Sequence, residues 1–147
     1  MNLSRQAIES IVRDVVREEL GHGAPDARKR DVSGVIGSDP AAIPLQPFPF
    51  PIESERVWLA DALTLDESPR LGCGVMEMDK TAFAWTLTYD EIDIVLDGTL
   101  EILIEGRSVR ATAGQVIFIP KNTAIQFSTP DHARFLYVCY PADWANQ

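Results

Sequence analysis

The 147-residue sequence predicts an all-β barrel preceded by a single amphipathic helix. Three observations carry that expectation. From about residue 52 onward, apolar residues recur with a period of two in many short segments. Signals rich in Gly, Pro and Asp punctuate those segments, as turns between antiparallel strands do. Residues 3 to 20 instead carry a stripe with helical spacing, cut off from the rest by a Gly- and Pro-rich stretch.

In chain order, the helix comes first. Ile8, Val12, Val16 and Leu20 recur every four residues, Ile11 and Val15 fill the same stripe, and Ala7 borders it. Ser4 is placed as its N-cap, with Leu3 and Ile8 as a hydrophobic staple. Arg5, Glu9 and Arg13 supply surface ion pairs at a spacing of four. Gly21, Gly23 and Pro25 end it. Residues 21 to 51 read as a linker that closes on the proline-dense run Ile43 to Pro51, extended and semi-rigid, with Phe48 and Phe50 positioned to pin its end to the following domain.

The barrel is expected over 52–147. Its strands are expected at Arg56–Leu59, Gly74–Met78, Phe83–Leu87, Ile92–Leu96, Thr99–Ile104, Ser108–Thr112, Val116–Ile119, Ala124–Ser128 and Arg134–Tyr140. Turns are expected at Ser68-Pro69, Asp79-Lys80, Asp97-Gly98, Glu105-Gly106, Ala113-Gly114, Pro120 to Asn122 and Thr129 to Asp131. The set occurs once, so the chain holds one barrel.

A formal net charge of −9 argues against nucleic acid, whose phosphates need a basic footprint, and against an anionic membrane surface. No apolar run approaches the roughly 20 residues of a membrane span, and the N-terminus lacks the unbroken apolar region of a secretory signal. The two cysteines, Cys73 and Cys139, sit in strand-like apolar contexts and read as small buried thiols, which points to the cytoplasm.

The chemistry concentrates in Phe83 to Gly98, where the acids Asp90, Glu91 and Asp93 are flanked by strand-forming residues. Acids so placed either face water or line a pocket, because burial in a core without partners is strongly unfavourable.

Glu91 followed after six residues by Gly98, and Gly114 followed after five by Pro120, resemble the two cupin motifs. The segments Phe83 to Asp93, Val95 to Gly98, Phe118 to Lys121, Phe127 to Pro130 and Val138 to Pro141 resemble more closely the EutQ family of ethanolamine-utilisation cupins, over about residues 52 to 142. The resemblance implies a jelly-roll (double-stranded β-helix) cupin barrel that forms a homodimer, a place in bacterial microcompartment operons, and an acetate kinase activity assigned to members.

Metal cupins present two histidines shortly before the glutamate and a third in the second motif. Here those positions carry Trp85 and Leu87, or Thr86 and Thr88, and Ile125. One carboxylate is too few for a transition metal, so neither a metal nor another cofactor is expected. If Glu91 takes the cupin glutamate position it points into the barrel mouth, and strand alternation sends Asp93 to the same side. Glu77 and Tyr89 complete a candidate catalytic set, with Glu77 joining only if its register turns it inward. Trp85, Leu87, Ile125 and Phe127 are expected to line the pocket. Two carboxyls in such a pocket raise each other's pKa and can work as a general acid and base. The alternative is that they are solvated or bonded to backbone.

The kinase activity finds little echo in the residues: there is no phosphate-binding Gly-rich loop with its lysine, and Lys121 is the only basic residue beside a motif. The helix, with Ile8, Ile11, Val12, Val15, Val16 and Leu20 as anchors, reads either as packing on its own barrel or dimer mate, or as a tether to microcompartment shell proteins or cargo enzymes. Two function classes follow: an accessory protein placed by its helix, and an enzyme or small-molecule binder using the acidic pocket.

Overall fold

A computed structural model describes residues 27–146. The expected helix over residues 3–20 lies outside the described residues. Residues up to Ala42 and residues from Ile43 belong to two compact units. In the first, β1 (Arg28–Arg30) and β2 (Ile36–Ser38) form a small antiparallel hairpin. Its loop is closed by the Asp31 N–H donating to the Val35 carbonyl at 2.8 Å and by the Ser33 N–H donating to Asp31 Oδ2 at 2.9 Å. This hairpin falls inside the stretch 21–51 read as linker.

The second unit holds β3 (Gln46–Pro47), β4 (Val57–Leu63), β5 (Gly72–Leu87), β6 (Asp90–Ile104), β7 (Arg107–Thr112), β8 (Val116–Ile119) and β9 (Thr123–Tyr140), followed by a short 3-10 helix at Trp144–Asn146. All pairings are antiparallel, in the order β3-β4-β5-β9-β6-β7, with β8 added to β6. The proline-dense run is therefore part of the barrel unit: β3 pairs with β4, and Phe48 and Ile52 pack on the core.

Three expected turns are corrected. Asp79-Lys80, Asp97-Gly98 and Thr129 to Asp131 do not reverse the chain; they are kinks inside continuous strands. β5, β6 and β9 each run through two predicted strands, with register shifts at Asp79/Thr81, Val95/Asp97 and Gly98/Glu101. A closed barrel needs strands bent in this way, and a bulge uses the same left-handed backbone as a hairpin turn. Gly98 has φ +76°, and a Cβ there would lie 1.9 Å from the His132 carbonyl oxygen, so close packing against β9 selects the bulge. True reversals occur at Glu105-Gly106, where both residues have positive φ as a type I′ turn requires, and at Gly114 and Asn122.

Period-two alternation places Glu91, Asp93 and Val95 of β6 inward, with Leu100 and Ile102 beyond the kink. These meet Met76, Met78, Phe83 and Leu87 from β5 and Phe127 and Phe135 from β9 in one core.

Candidate functional site

One end of that core opens into a cavity of about 350 Å³. Its floor is built by alternation along the two central strands. Glu91 stands opposite Cys139 in the β6–β9 pairing, with Tyr137 two residues away on the same strand face. Glycine makes room for these side chains. A Cβ at Gly74 would lie 2.1 Å from the Tyr137 hydroxyl and 2.8 Å from the Ala60 carbonyl, so only a bare backbone lets the phenol lie across β5.

The walls are aromatic. Phe48 and Phe50 from the proline-rich run, Phe83 and Trp85 from β5, Tyr89 from the β5–β6 turn and Trp144 from the C-terminal 3-10 helix all line the cavity. Trp85 and Trp144 meet at 6.0 Å between centroids with rings 85° apart, and Tyr89 and Trp144 at 4.9 Å and 39°. The Trp85 Nε1–H donates to the Tyr89 hydroxyl at 2.9 Å, which satisfies the buried indole and fixes both rings.

Glu91 presents its carboxyl to this chamber although only 5% of the residue is exposed. Asp93 lies behind it, fully buried and away from the cavity lining. No N–H or hydroxyl among the described residues reaches either Asp93 oxygen. The titratable group that acts on it is the Glu91 carboxyl, its neighbour on the same face of β6. Two ionised carboxylates so placed repel each other in a buried site, so the protonated form of the pair is favoured. Burial pushes Glu91 up to about 7. Burial, then the Glu91 charge, hold Asp93 well above the usual carboxylate range.

The other titratable groups facing Glu91 are protonated neighbours. Burial, and then the Glu91 charge, push the Tyr89 phenol far up; burial, and then Asp61, do the same to Tyr137. Burial and the Glu91 charge push the Cys139 thiol up to about 11, so it is no nucleophile at neutral pH. Asp61 and Asp143 add two acids to the lining, and no Lys, Arg or His among the described residues lines it.

The candidate residues thus separate. Glu91, Tyr89, Trp85 and Phe127 line the cavity, and Asp93 backs it. Glu77 does not join them: between inward Met76 and Met78 it points to the opposite face of β5 and accepts a hydrogen bond from Arg134 Nη1 at 2.6 Å. Leu87 and Ile125 are buried in the core and are not part of the lining. Asp90 is structural: its carboxylate accepts the Lys121 N–H at 2.8 Å and closes the β8–β9 turn. Asp61, Tyr137, Cys139, Asp143 and Trp144 were not anticipated. The parity of β9 from Phe135 would have pointed to Tyr137 and Cys139; the tail after Pro141 has no periodicity that marks Trp144.

Among the described residues no group of three or more His, Cys, Asp or Glu side chains is placed to hold a metal ion. The Glu91–Asp93 pair offers two carboxyls whose burial favours the protonated form, and it does not fit a resident transition metal.

The fold matches the cupin domain of an XRE-family transcriptional regulator from Enterobacter cloacae with a TM-score of 0.52 at 13% identity, covering 58% of this chain and 96% of that one, a likeness of fold alone. Sequence comparison goes further. The chain is 47% identical over 159 residues to a protein of Clostridioides difficile (strain 630) named acetate kinase EutQ, covering 99% of this chain and 97% of that relative. It is 38% identical over 144 residues to a protein of the same name from Salmonella typhimurium LT2, where it spans 62% of the relative's length. The solved structure of the Clostridium difficile EutQ protein superposes with a TM-score of 0.72 at 52% identity, covering 82% of this chain and 90% of that one. The family model described as ethanolamine utilisation protein EutQ matches residues 3–146, and with relatives this similar along nearly its whole length the chain belongs to the EutQ family.

Proposed function

We propose that this chain serves ethanolamine utilisation as a small-molecule enzyme whose Glu91–Asp93 pair stores and delivers a proton inside the aromatic cavity. One observation carries the reading: two carboxyls share one face of β6, Asp93 fully buried and Glu91 nearly so, and Glu91 opens onto a 350 Å³ chamber. A carboxyl held near 7 is matched to acid and base work at neutral pH. The test is Glu91→Gln in the full chain, with folding checked by circular dichroism. Loss of small-molecule binding in calorimetry is expected, and unchanged affinity discards the reading.

A second reading is the acetate kinase activity for which the relatives are named. It is favoured by 47% identity spanning almost all of both chains. The aromatic walls suit a methyl group, and a protonated Glu91 can donate to a carboxylate. Phosphoryl transfer also needs cationic groups on the phosphates. The cavity lining offers none among the described residues, so in this reading the phosphates would lie outside the chamber. A coupled assay of ADP release from acetate and ATP, with Glu91→Ala as control, decides: turnover lost in the variant supports the activity, and no turnover by the unaltered chain removes it.

Placement in a cytoplasmic microcompartment is carried by residues 1–20 alone. We infer that their apolar stripe, with Ile8, Ile11, Val12, Val15, Val16 and Leu20, docks on shell proteins or cargo enzymes. Residues 1–20 fused to a fluorescent protein are expected to co-localise with shells; diffuse signal with shells present counts against it. For the homodimer, the exposed Ile92, Val116, Phe118 and Tyr140 on the outer face of β6, β8 and β9 offer a self-complementary patch. Phe118→Asp should then yield a monomer in sedimentation, and an unaltered mass rejects that face.

A further inference from the structure

The cavity's chemistry is one-sided in charge. Glu91, Asp61 and Asp143 line it, with no basic side chain among the described lining residues. A pocket walled by acids and low-dielectric rings concentrates cations and repels anions. The usual way to settle a buried carboxyl is an internal Arg or Lys, yet the nearby Arg134 bonds to Glu77 on the other face of the sheet. Among the described residues, neither Asp93 oxygen has a hydrogen-bond partner, and no basic side chain lines the cavity beside Glu91. A buried, cavity-facing carboxyl without a basic partner calls for a ligand that brings positive charge and donors of its own.

The rings specify what kind of cation. Trp85 and Trp144 stand nearly at right angles, 85°, and Phe48 meets Trp85 at 82°. An edge-to-face contact occupies one face of one ring in each pair, and all three rings still line the cavity. Crossed aromatic rings beside carboxylates are the arrangement that binds organic ammonium groups, through cation–π attraction and contact with the carbons next to nitrogen. A hydrated inorganic cation would gain nothing from the rings. A volume of about 350 Å³ lies at the small end of ligand pockets.

We propose that this cavity binds a small organic ammonium cation, its charged nitrogen toward Glu91 and its carbon groups against Trp85, Tyr89 and Trp144. The inference rests on the reading of the cavity as a ligand site and adds the sign and class of the ligand.

Trp85 and Trp144 line the cavity, so binding reports through tryptophan fluorescence, with calorimetry alongside. The full chain is titrated with choline against its neutral carbon isostere 3,3-dimethylbutan-1-ol, with ethanolamine against ethylene glycol, and with sodium acetate and acetyl phosphate, at constant ionic strength. The expected result is saturable binding of at least one ammonium compound, at least tenfold tighter than its isostere, and weakened at least tenfold in Glu91→Gln. If Glu91→Gln fails to fold, the rim double variant Asp61→Asn with Asp143→Asn is read instead and is expected to weaken binding at least threefold. Equal affinity for amine and isostere overturns the proposal, as does undiminished binding in the variant read. Binding of acetate or acetyl phosphate with the amines silent also overturns it but leaves the cavity a ligand site. Silence from every compound overturns both.

Discussion

The carboxyl of Asp93 sits behind that of Glu91, sealed from solvent and reached by no hydrogen-bond donor among the described residues, so burial and the Glu91 charge favour its protonated form. Alternation along β6 puts both on one side of the strand, and the surrounding core keeps donors away. The pair is therefore comfortable when protonated and strained when fully ionised.

That strain sets a pH dependence of stability. Burial raises Glu91 in the folded state from 4.5 to about 7, so between those values the folded chain binds more protons than the unfolded one. Stability is fully present below about 4.5 as far as this group is concerned, and falls as pH rises through 7. The change is at most about 3–4 kcal/mol, from about 1.4 kcal/mol for each pKa unit. Thermal melts should show a lower Tm at pH 8 than at pH 5.5, and Glu91→Gln should flatten that difference. A Tm that rises over this range would refute the buried pair.

Gly98 and Gly106 separate two effects of adding a methyl group. Both have positive φ, +76° and +75°, but a Cβ at Gly98 meets the His132 carbonyl while one at Gly106 meets nothing within 4 Å. Gly106→Ala should cost about 1 kcal/mol, the backbone penalty alone. Gly98→Ala should cost about 3 kcal/mol, because the β6 kink must also move off β9. Urea denaturation of the two variants gives the comparison.

Gly74→Ala tests how the cavity is shaped. The new methyl would overlap the Tyr137 hydroxyl and crowd the Ala60 carbonyl. A loss of about 1–3 kcal/mol is expected from overpacking. The displaced phenol should also change the cavity, read as a shift in tryptophan emission.

Glu77 supplies a contrast with Glu91. Its ion pair with Arg134 is partly exposed and lies on the opposite face from the cavity. Glu77→Gln should lower stability by about 1 kcal/mol or less and leave ligand affinity at the cavity unchanged. Calorimetry of the two glutamine variants side by side shows whether the two acids are as separate as their positions indicate.

Most strand positions could be read locally. The period of two located β7 and β8 closely, and the turns at Glu105-Gly106, Ala113-Gly114 and Pro120 to Asn122 fall where Gly, Asn and Pro require. The merging of six expected strands into β5, β6 and β9 could not be read, because a bulge and a hairpin turn both use a left-handed residue such as Gly98. What separates them is the partner strand, here the His132 carbonyl, about thirty residues away in sequence.

Alternation along β6 settles from sequence alone that Glu91, Asp93 and Val95 share one side, since neighbours two apart in a strand must. Sequence also points to Trp85, Tyr89 and Phe127 around the cavity, which they line, and to Leu87 and Ile125, which lie in the core instead. Tertiary structure decided the rest. Parity does not say which side of β5 faces the core, so only the pairing with β9 turned Glu77 outward to Arg134. Phe48 and Phe50 could be read as pinning to the following domain but not to which part of it, and Trp144 carries no local sign at all; it is their arrival from both ends of the barrel unit that puts Glu91 inside an aromatic chamber.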